Sequence, residues 1–370
     1  MRNVVARDRI EGLDVWRALL VAGGLFVHAS FQLERVPLFA VVEGASQAFR
    51  MGAFFAISGL LSAIAIERAD PVPWLGRRVI QLGVPAMVGL ATISPLIWWL
   101  VVTAPQHRPG GPPLRYEWHH LWFLFALILY SCVAVLVDRI DRRWGLAGRI
   151  DTAAGSPRSA RIAILTVAAC GAVLIGAAPP LMRAVMPPWS IGPFANLQMI
   201  AGYLPMFLLG LALGRSARLR SRCVEASGFA AVLVVVATAV FALTHAHPAL
   251  ARWQEEARFV AVALCPPAAF VLILRSALSI RRVPVAIRHV SDASYTIYVL
   301  HLPIAVAFNT RLGDSVDPHI GYLGCVVIAG LASYFIHAAV VARCPPISLL
   351  VNGRLPRRRP DQDGSTVCPT

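Results

Sequence analysis

The chain has 370 residues, of which 57% are hydrophobic and only 14% are charged. Soluble globular proteins carry about 25% charged residues, so this composition excludes a soluble enzyme and a disordered chain. The net charge of +15 comes from 34 basic residues, all of them arginine. Because these arginines lie between long apolar runs, they indicate membrane topology signals and not a nucleic-acid-binding face.

Ten apolar segments are each long enough to cross a bilayer, which takes about 20 residues in a helix. They predict an all-α, polytopic integral membrane protein with one transmembrane domain over residues 1–345. Residues 346–370 are predicted to form a basic, disordered cytoplasmic tail. The predicted membrane helices cover residues 12–33, 47–66, 82–103, 119–138, 162–180, 197–214, 227–245, 257–276, 293–309 and 320–342.

The distribution of the arginines predicts how the chain crosses the membrane. If the N-terminus is cytoplasmic, the cytoplasmic segments hold 25 arginines and the outer segments hold eight, including Arg50, while Arg17 lies within the first helix. Cytoplasmic loops carry an excess of this kind, so both termini are expected in the cytoplasm. The seven cysteines form no CxxC pair, so we expect neither a bound metal nor a disulfide framework.

The first predicted helix carries three ionisable residues, Asp14, Arg17 and His28. Eleven steps of 100° make three turns plus 20°, so Arg17 and His28 lie on one face, about 16 Å apart along the axis. Ionisable residues inside a membrane are costly and mark function by default. The alternatives are an interfacial Asp14–Arg17 ion pair that snorkels and a His28 that only bonds to a neighbouring helix.

The second predicted helix begins near Arg50 and carries Ser58-Gly59 at mid-membrane. Small residues at that depth usually indicate tight helix packing, although a substrate contact is the alternative. In the next cytoplasmic segment, Arg77 and Arg78 are either topology charges or ligands for the phosphates of a cofactor.

The fourth and ninth predicted helices each carry a polar group of side chains. His120 and Trp122 lie at the outer end of the fourth helix, where an aromatic belt is the alternative interpretation. Tyr298 and His301 share one face of the ninth helix, where a polar packing seam is the alternative. The two histidines His28 and His301 indicate proton transfer, because a neutral imidazole is the usual general base near neutral pH. No GxSxG motif occurs, which favours direct transfer to a substrate hydroxyl over a covalent serine intermediate.

These segments resemble, in order, the motifs of the membrane-bound acyltransferase 3 family. RIEGLDVWRALLVAGGLFVHAS is similar to its first helix, which has an arginine, ten further residues and a histidine, here Arg17 and His28. FFAISGLLS, RRVIQLGVP and ASYTIYVLHLP resemble its second helix, its basic loop and a later helix. The set is most like the branch that succinylates periplasmic glucans.

The resemblance implies an O-acyltransferase of the bacterial inner membrane. It implies an acyl-CoA donor on the cytoplasmic side, with succinyl as one candidate acyl group, and a glycan hydroxyl as acceptor on the far side. By resemblance, His28 is the catalytic base and Arg17 its partner, and Asp14 is expected to order both. Arg77 and Arg78 match the family's CoA-binding loop, but Gln81 replaces a third arginine that is often found there.

The remaining site candidates are expected to bind substrate: Arg50, Ser58, His120, Trp122, Tyr298 and His301. The rival function is a proton-coupled secondary transporter or a lipid-linked glycan flippase, in which the same histidine and arginine would form a proton relay. The sequence shows no strong internal repeat, which counts against many transporter folds.

Overall fold

The computed structural model describes residues 10–30, 36–104, 118–156, 158–185, 191–245 and 251–354. Within these ranges the chain is all-α and contains no strand, as the sequence predicted. The helices are α1 (Glu11–Ala29), α2 (Pro37–Arg68), α3 (Pro71–Val102), α4 (Trp122–Trp144), α5 (Leu146–Ala153), α6 (Ser159–Val185), α7 (Ile191–Arg215), α8 (Ala217–Glu225), α9 (Ser227–His245), α10 (Arg252–Ser279), α11 (Val285–Leu312), α12 (Pro318–Ile336) and α13 (Pro345–Asn352).

Among the described residues, eight helices are long and apolar enough to cross a membrane, and the bent pair α8–α9 makes a ninth candidate. The chain is therefore a polytopic membrane protein. The ninth predicted segment, 293–309, is the one not among these candidates; it lies in α11, whose 28 residues include polar side chains such as Tyr298, His301 and Asn309. All three face the protein interior or a cavity, so their polarity is compatible with a position between other helices. The ten-span arrangement and the cytoplasmic termini remain predictions.

The second helix begins ten residues before its predicted start at residue 47. Pro37 occupies the first helical turn, where its missing N–H removes no helical hydrogen bond. Glu43 and Gln47 interrupt the apolar character of residues 37–46 and the residue that follows, which is why hydropathy did not reveal the start of this helix. Arg50, which the sequence places near the start of the second helix, therefore lies in the fourth turn of α2.

The predicted disorder of the C-terminal tail is wrong for its first residues. Pro345–Asn352 form α13, which packs against α3. The Thr296 hydroxyl donates a hydrogen bond to Asn352 Oδ1 at 2.9 Å, and so ties this helix to α11. Residues 355–370 lie outside the described residues.

The bundle is held together on one side by close contact between α2 and α7. A Cβ atom added to Gly210 would overlap the carbonyl oxygen of Ala56, and one added to Gly59 would overlap that of Phe207. The absence of these side chains lets the two backbones approach each other, as is common where membrane helices pack. For Gly59, the packing interpretation is therefore confirmed.

Charged side chains join α4 to α7 at their arginine-rich ends. Arg215 donates from Nη2 to Asp138 Oδ1 at 2.8 Å and from Nη1 to Asp141 Oδ2 at 2.5 Å. Arg142 Nε donates to the other oxygen of Asp138 at 2.7 Å. Since the Arg215 side chain is only 7% exposed, two carboxylates compensate a buried cation here.

Candidate active site

Two adjoining cavities lie between α1, α2, α4 and α11. The inner cavity, of about 420 Å³, lies toward the arginine-rich helix ends, and the outer cavity, of about 220 Å³, lies toward the opposite ends. Val21, Phe54, Phe123 and Tyr298 line both of them. The two cavities are therefore separated only by shared side chains.

Ten of the eleven predicted site residues line one or both cavities. The inner cavity holds Arg17, Ser58, Arg77, Arg78 and Tyr298. The outer cavity holds His28, Arg50, His120, Trp122, Tyr298 and His301. Asp14 is the exception, because it lines a separate cavity with Glu11 and Arg288.

One face of α1 runs along both cavities. Arg17 lines the inner cavity, Val21 lines both, and Gly24 and His28 line the outer one. These positions are spaced by four, three and four residues, which is the spacing of one helical face. Asp14 Oδ1 lies 3.8 Å from Arg17 Nη1, so the expected ion pair forms, although Asp14 itself does not reach the cavities.

Three histidines from separate elements meet in the outer cavity. The ring centroid of His28 lies 5.1 Å from that of His301 and 6.4 Å from that of His120. The rings of His120 and His301 are 5.4 Å apart. The sequence predicted that each would be functional, and the fold brings together residues separated by up to 273 positions.

Backbone carbonyls orient two of these rings. His301 Nδ1 lies 2.9 Å from the carbonyl oxygen of Ile297 and 2.8 Å from that of Tyr298. Because a carbonyl only accepts, Nδ1 carries the proton, and Nε2 of the neutral ring is left with a lone pair. That Nε2 atom is buried and has no hydrogen-bond partner among the described residues. His301 therefore presents an acceptor to the cavity.

His120 is held in the opposite tautomer. Its Nε2 donates to the carbonyl oxygen of Val299 at 3.1 Å, while Nδ1 is buried without a partner in the described part of the chain. The preceding residue, His119, has φ of 44°, a left-handed conformation that is uncommon for any residue except glycine. This turn directs His120 inward, and the Tyr298 hydroxyl donates to the His120 carbonyl oxygen.

The aromatic-belt interpretation does not fit His120 and Trp122. Residues of such a belt lie at the level of the lipid headgroups with one end in contact with water. His120 is 6% exposed and Trp122 is 8% exposed, and both line the outer cavity. They belong to the interior of the protein.

Arg50 enters the outer cavity from α2 and lies directly against α1. A Cβ atom added to Gly24 would lie 2.8 Å from Arg50 Nη1 and 4.0 Å from His301 Nε2. The missing side chain of Gly24 thus makes room for the guanidinium. Arg50 Nε is buried and lacks a hydrogen-bond partner within the described ranges.

In the inner cavity, Arg78 is held by Gln81, which lies three residues further along α3. Arg78 Nη1 donates to Gln81 Oε1 at 3.0 Å, and the Tyr295 hydroxyl donates to the Gln81 carbonyl oxygen at 3.2 Å. Arg77 is exposed at the same end. Three guanidinium groups, from Arg17, Arg77 and Arg78, therefore line one cavity and can attract a polyanion such as a nucleotide phosphate.

Several other lining residues were not singled out from the sequence. Tyr203 faces Arg50 across the outer cavity, and Gln47 lies one turn before Arg50 on α2. Tyr295 and Trp74 line the inner cavity. A tyrosine inside the apolar run GYLPMFLLGLALG was the available signal for Tyr203, because a buried hydroxyl needs a partner.

Residues 10–338 match the acyltransferase domain of the acyltransferase 3 family. The chain is 24% identical to glucans biosynthesis protein C of Salmonella typhimurium over 333 residues, which cover 84% of both chains. It is 25% identical to the glucans biosynthesis protein C of Salmonella gallinarum over 329 residues, or 84% of this chain and 83% of that one. No solved structure matches the chain.

Proposed function

Because the chain belongs to the acyltransferase 3 family, we propose that it is an integral membrane O-acyltransferase of a bacterial inner membrane. It takes an acyl group from acyl-CoA on the cytoplasmic side and places it on a hydroxyl of a periplasmic or cell-surface glycan. The similarity to proteins named for glucan biosynthesis supports a glycan acceptor.

One observation carries the proposal: His28 lies in a cavity that adjoins a second, arginine-lined cavity nearer the arginine-rich helix ends. A donor with phosphates suits the inner cavity, where Arg17, Arg77 and Arg78 supply positive charge. A neutral acceptor suits the outer cavity, where imidazole, amide and phenol groups supply hydrogen-bond partners. The reaction then takes place where the two cavities adjoin.

In the proposed reaction, His28 acts as the general base. The acceptor oxygen attacks the thioester carbonyl carbon while its proton passes to the imidazole. A carbon–oxygen bond forms and the carbon–sulfur bond breaks. The proton then moves from His28 to the departing sulfur, so CoA leaves as a free thiol and the ring is neutral again.

The proposal is tested with the purified protein in detergent, an acyl-CoA and a glucan oligosaccharide. We expect thiol release that depends on the glucan, together with a glucan mass increased by one acyl group per transfer. Thiol release no faster than in buffer would contradict the proposal. Movement of glycan across liposomes without acylation would instead favour the transporter.

A further inference from the structure

A groove between α6 and α7 lies apart from the two cavities of the proposed reaction site and has a volume of about 640 Å³. Two rows of lining residues, one on each helix, are spaced by four, which is the spacing of one helical face. They are Ile162, Thr166 and Cys170 on α6 and Leu204, Leu208 and Ala212 on α7. No charged side chain lines the described part of the groove. Since Ile162 is 60% exposed and Leu208 is 37% exposed, the groove is open to the outside of the bundle.

The groove has about the length of one lipid. It extends along α6 from Ser159 to Leu174, and these fifteen steps of the helix rise about 22 Å. One leaflet with its headgroups is roughly 20–22 Å thick, or half of a bilayer. Beyond Leu174 the two helices are in contact, because a Cβ atom added to Gly202 would overlap the Ile175 side chain. The groove therefore ends there and is open toward α5.

Three exposed arginines flank the end of the groove nearest α5, namely Arg149, Arg158 and Arg218. Arg149 lies one turn before Ala153, a lining residue of α5. Arg158 lies one turn before Ile162, whose backbone N–H donates to the Arg158 carbonyl oxygen at 3.0 Å. Arg218 directly precedes a lining residue of α8. An apolar groove thus continues into a group of guanidinium side chains.

The charge of these three arginines is not compensated by the protein. Among the described residues, no carboxylate lies within ion-pair distance of any of them. The Asp151 carboxylate accepts from the Ser216 hydroxyl at 2.6 Å and from the Arg218 backbone N–H at 3.3 Å. The Arg218 guanidinium instead donates to the Asp151 carbonyl oxygen at 3.3 Å. This end of the groove therefore carries an excess of positive charge.

We propose that the groove binds an anionic phospholipid, with one acyl chain between α6 and α7 and the phosphate at Arg149, Arg158 and Arg218. An uncharged groove suits a hydrocarbon chain, and a guanidinium donates paired hydrogen bonds to phosphate oxygens. Basic pockets between membrane helices bind lipid headgroups in this way. An apolar helix of a second copy would fill the groove but leave the arginines without an anion. No lining residue of the groove lines the inner or the outer cavity, so the proposal is independent of the proposed reaction.

The test compares phosphatidylglycerol with phosphatidylcholine of the same acyl chains, each added to the purified protein in detergent. Native mass spectrometry should show one retained phosphatidylglycerol per chain, and this lipid should raise the unfolding temperature more than phosphatidylcholine does. The double variant Arg149→Gln/Arg158→Gln should weaken binding of phosphatidylglycerol by about 30-fold, since each arginine at a membrane surface contributes roughly fivefold. The matched control is Arg281→Gln/Arg282→Gln, which removes two exposed arginines outside the groove and should leave binding unchanged.

Two further measurements locate the acyl chain. Thr166→Trp fills the groove from an exposed position and should abolish retention of phosphatidylglycerol, whereas Leu331→Trp at an exposed position of α12 should not. Phosphatidylglycerol should also slow alkylation of Cys170 by N-ethylmaleimide several-fold, because this exposed thiol lines the groove. Cys132 is exposed but lies outside the groove, so its alkylation should proceed at the same rate with and without the lipid.

Three results would overturn the proposal. Equal binding of both lipids by wild type would mean that the groove does not select an anionic headgroup. A preference for phosphatidylglycerol that persists in Arg149→Gln/Arg158→Gln, or that is lost equally in Arg281→Gln/Arg282→Gln, would mean that the lipid does not bind at these arginines. A wild-type dimer that Thr166→Trp converts to a monomer, without selective lipid binding, would assign the groove to a second copy of the chain.

Discussion

At the scale of single residues, the outer cavity depends on the absence of one side chain. Gly24 leaves room for the Arg50 guanidinium, since a Cβ atom there would lie 2.8 Å from Nη1. We expect Gly24→Ala to fold, because the guanidinium is the flexible end of a long side chain. Acyl transfer should fall by about 10- to 100-fold, since displacement of a substrate-positioning group by about 1 Å has effects of this size.

The matched control is Gly83→Ala on α3. A Cβ atom there would meet only Ile128, at an ordinary contact distance of 3.8 Å. The rate of acyl transfer, measured per folded molecule, should stay at the wild-type value in this variant. Wild-type activity in Gly24→Ala would show that Arg50 has no fixed position in the reaction.

The second residue-scale prediction concerns the donor. Replacing both Arg77 and Arg78 with Gln should raise the apparent KM for acyl-CoA, because the inner cavity loses two of its three guanidinium groups. Arg139→Gln, an exposed position on α4, should leave it unchanged. An unchanged KM in an active double variant would make Arg77 and Arg78 topology charges only.

Helical geometry explains which site residues the sequence revealed. Arg17 and His28 belong to one helix, so their spacing alone put them on one face, and the structure agrees. Arg50 was expected near the start of the second helix, and the sequence did not show that this helix begins as early as Pro37. The free lone pair of His301 depends on carbonyl groups three and four residues earlier in its own helix. That of His120 depends on the carbonyl of Val299, and such a tertiary contact has no local signal.

At the scale of helices, the ion pairs of Arg215 lead to a prediction about the stability of the protein. Arg215→Gln should lower the free energy of unfolding by about 3 kcal/mol, because Asp141 would lose its charged partner and the buried Asp138 would keep only Arg142. Chemical or thermal unfolding in detergent measures the change. Activity per folded molecule should be retained, since these residues line neither cavity.

Arg139→Gln is again the control, because it removes an exposed arginine from the same end of α4 and should change stability by no more than about 0.5 kcal/mol. If Arg215→Gln were as stable as this control, the ion pairs would not join α4 to α7 energetically. The sequence did not identify these ion pairs, because the same residue types occur where charges serve only to set the membrane topology.

Helix ends were predicted less well than helix centres. Asp70 accepts from the backbone N–H of Val72 at 3.1 Å, and Asp317 accepts from that of His319 at 2.9 Å. Both caps precede a proline and start a helix, a signal that is visible in sequence. The helix that starts at Pro37 has the proline but no side-chain cap. Its start was predicted from the apolar run alone, and that prediction was ten residues too late.

At the scale of the whole molecule, the arginines predict the orientation of the chain. With 25 arginines in the segments assigned to the cytoplasm and eight in the others, both termini should be cytoplasmic. A fluorescent protein that matures only in the cytoplasm should be active when fused after Thr370. Activity of a phosphatase that works only in the periplasm, fused at the same place, would contradict this orientation.

The two cavities differ in chemical character and lie toward opposite ends of the helices. The inner cavity carries the arginines and the outer cavity carries the histidines, so a charged donor and a neutral acceptor can approach from opposite sides. Only shared side chains such as Phe54 and Tyr298 separate the two. The account therefore requires acyl transfer at His28, without movement of either whole substrate across the membrane.

Acylation of glucan by purified His28→Gln protein tests this account most directly. The glutamine can still form hydrogen bonds but cannot accept a proton at neutral pH. The account predicts a loss of about 10²–10⁴-fold in acyl transfer, with thermal stability and detergent-solubilised yield close to wild type. Acylation near the wild-type rate in this variant would contradict His28 as the base and would make His301, whose unpartnered Nε2 faces the same cavity, the next residue to replace.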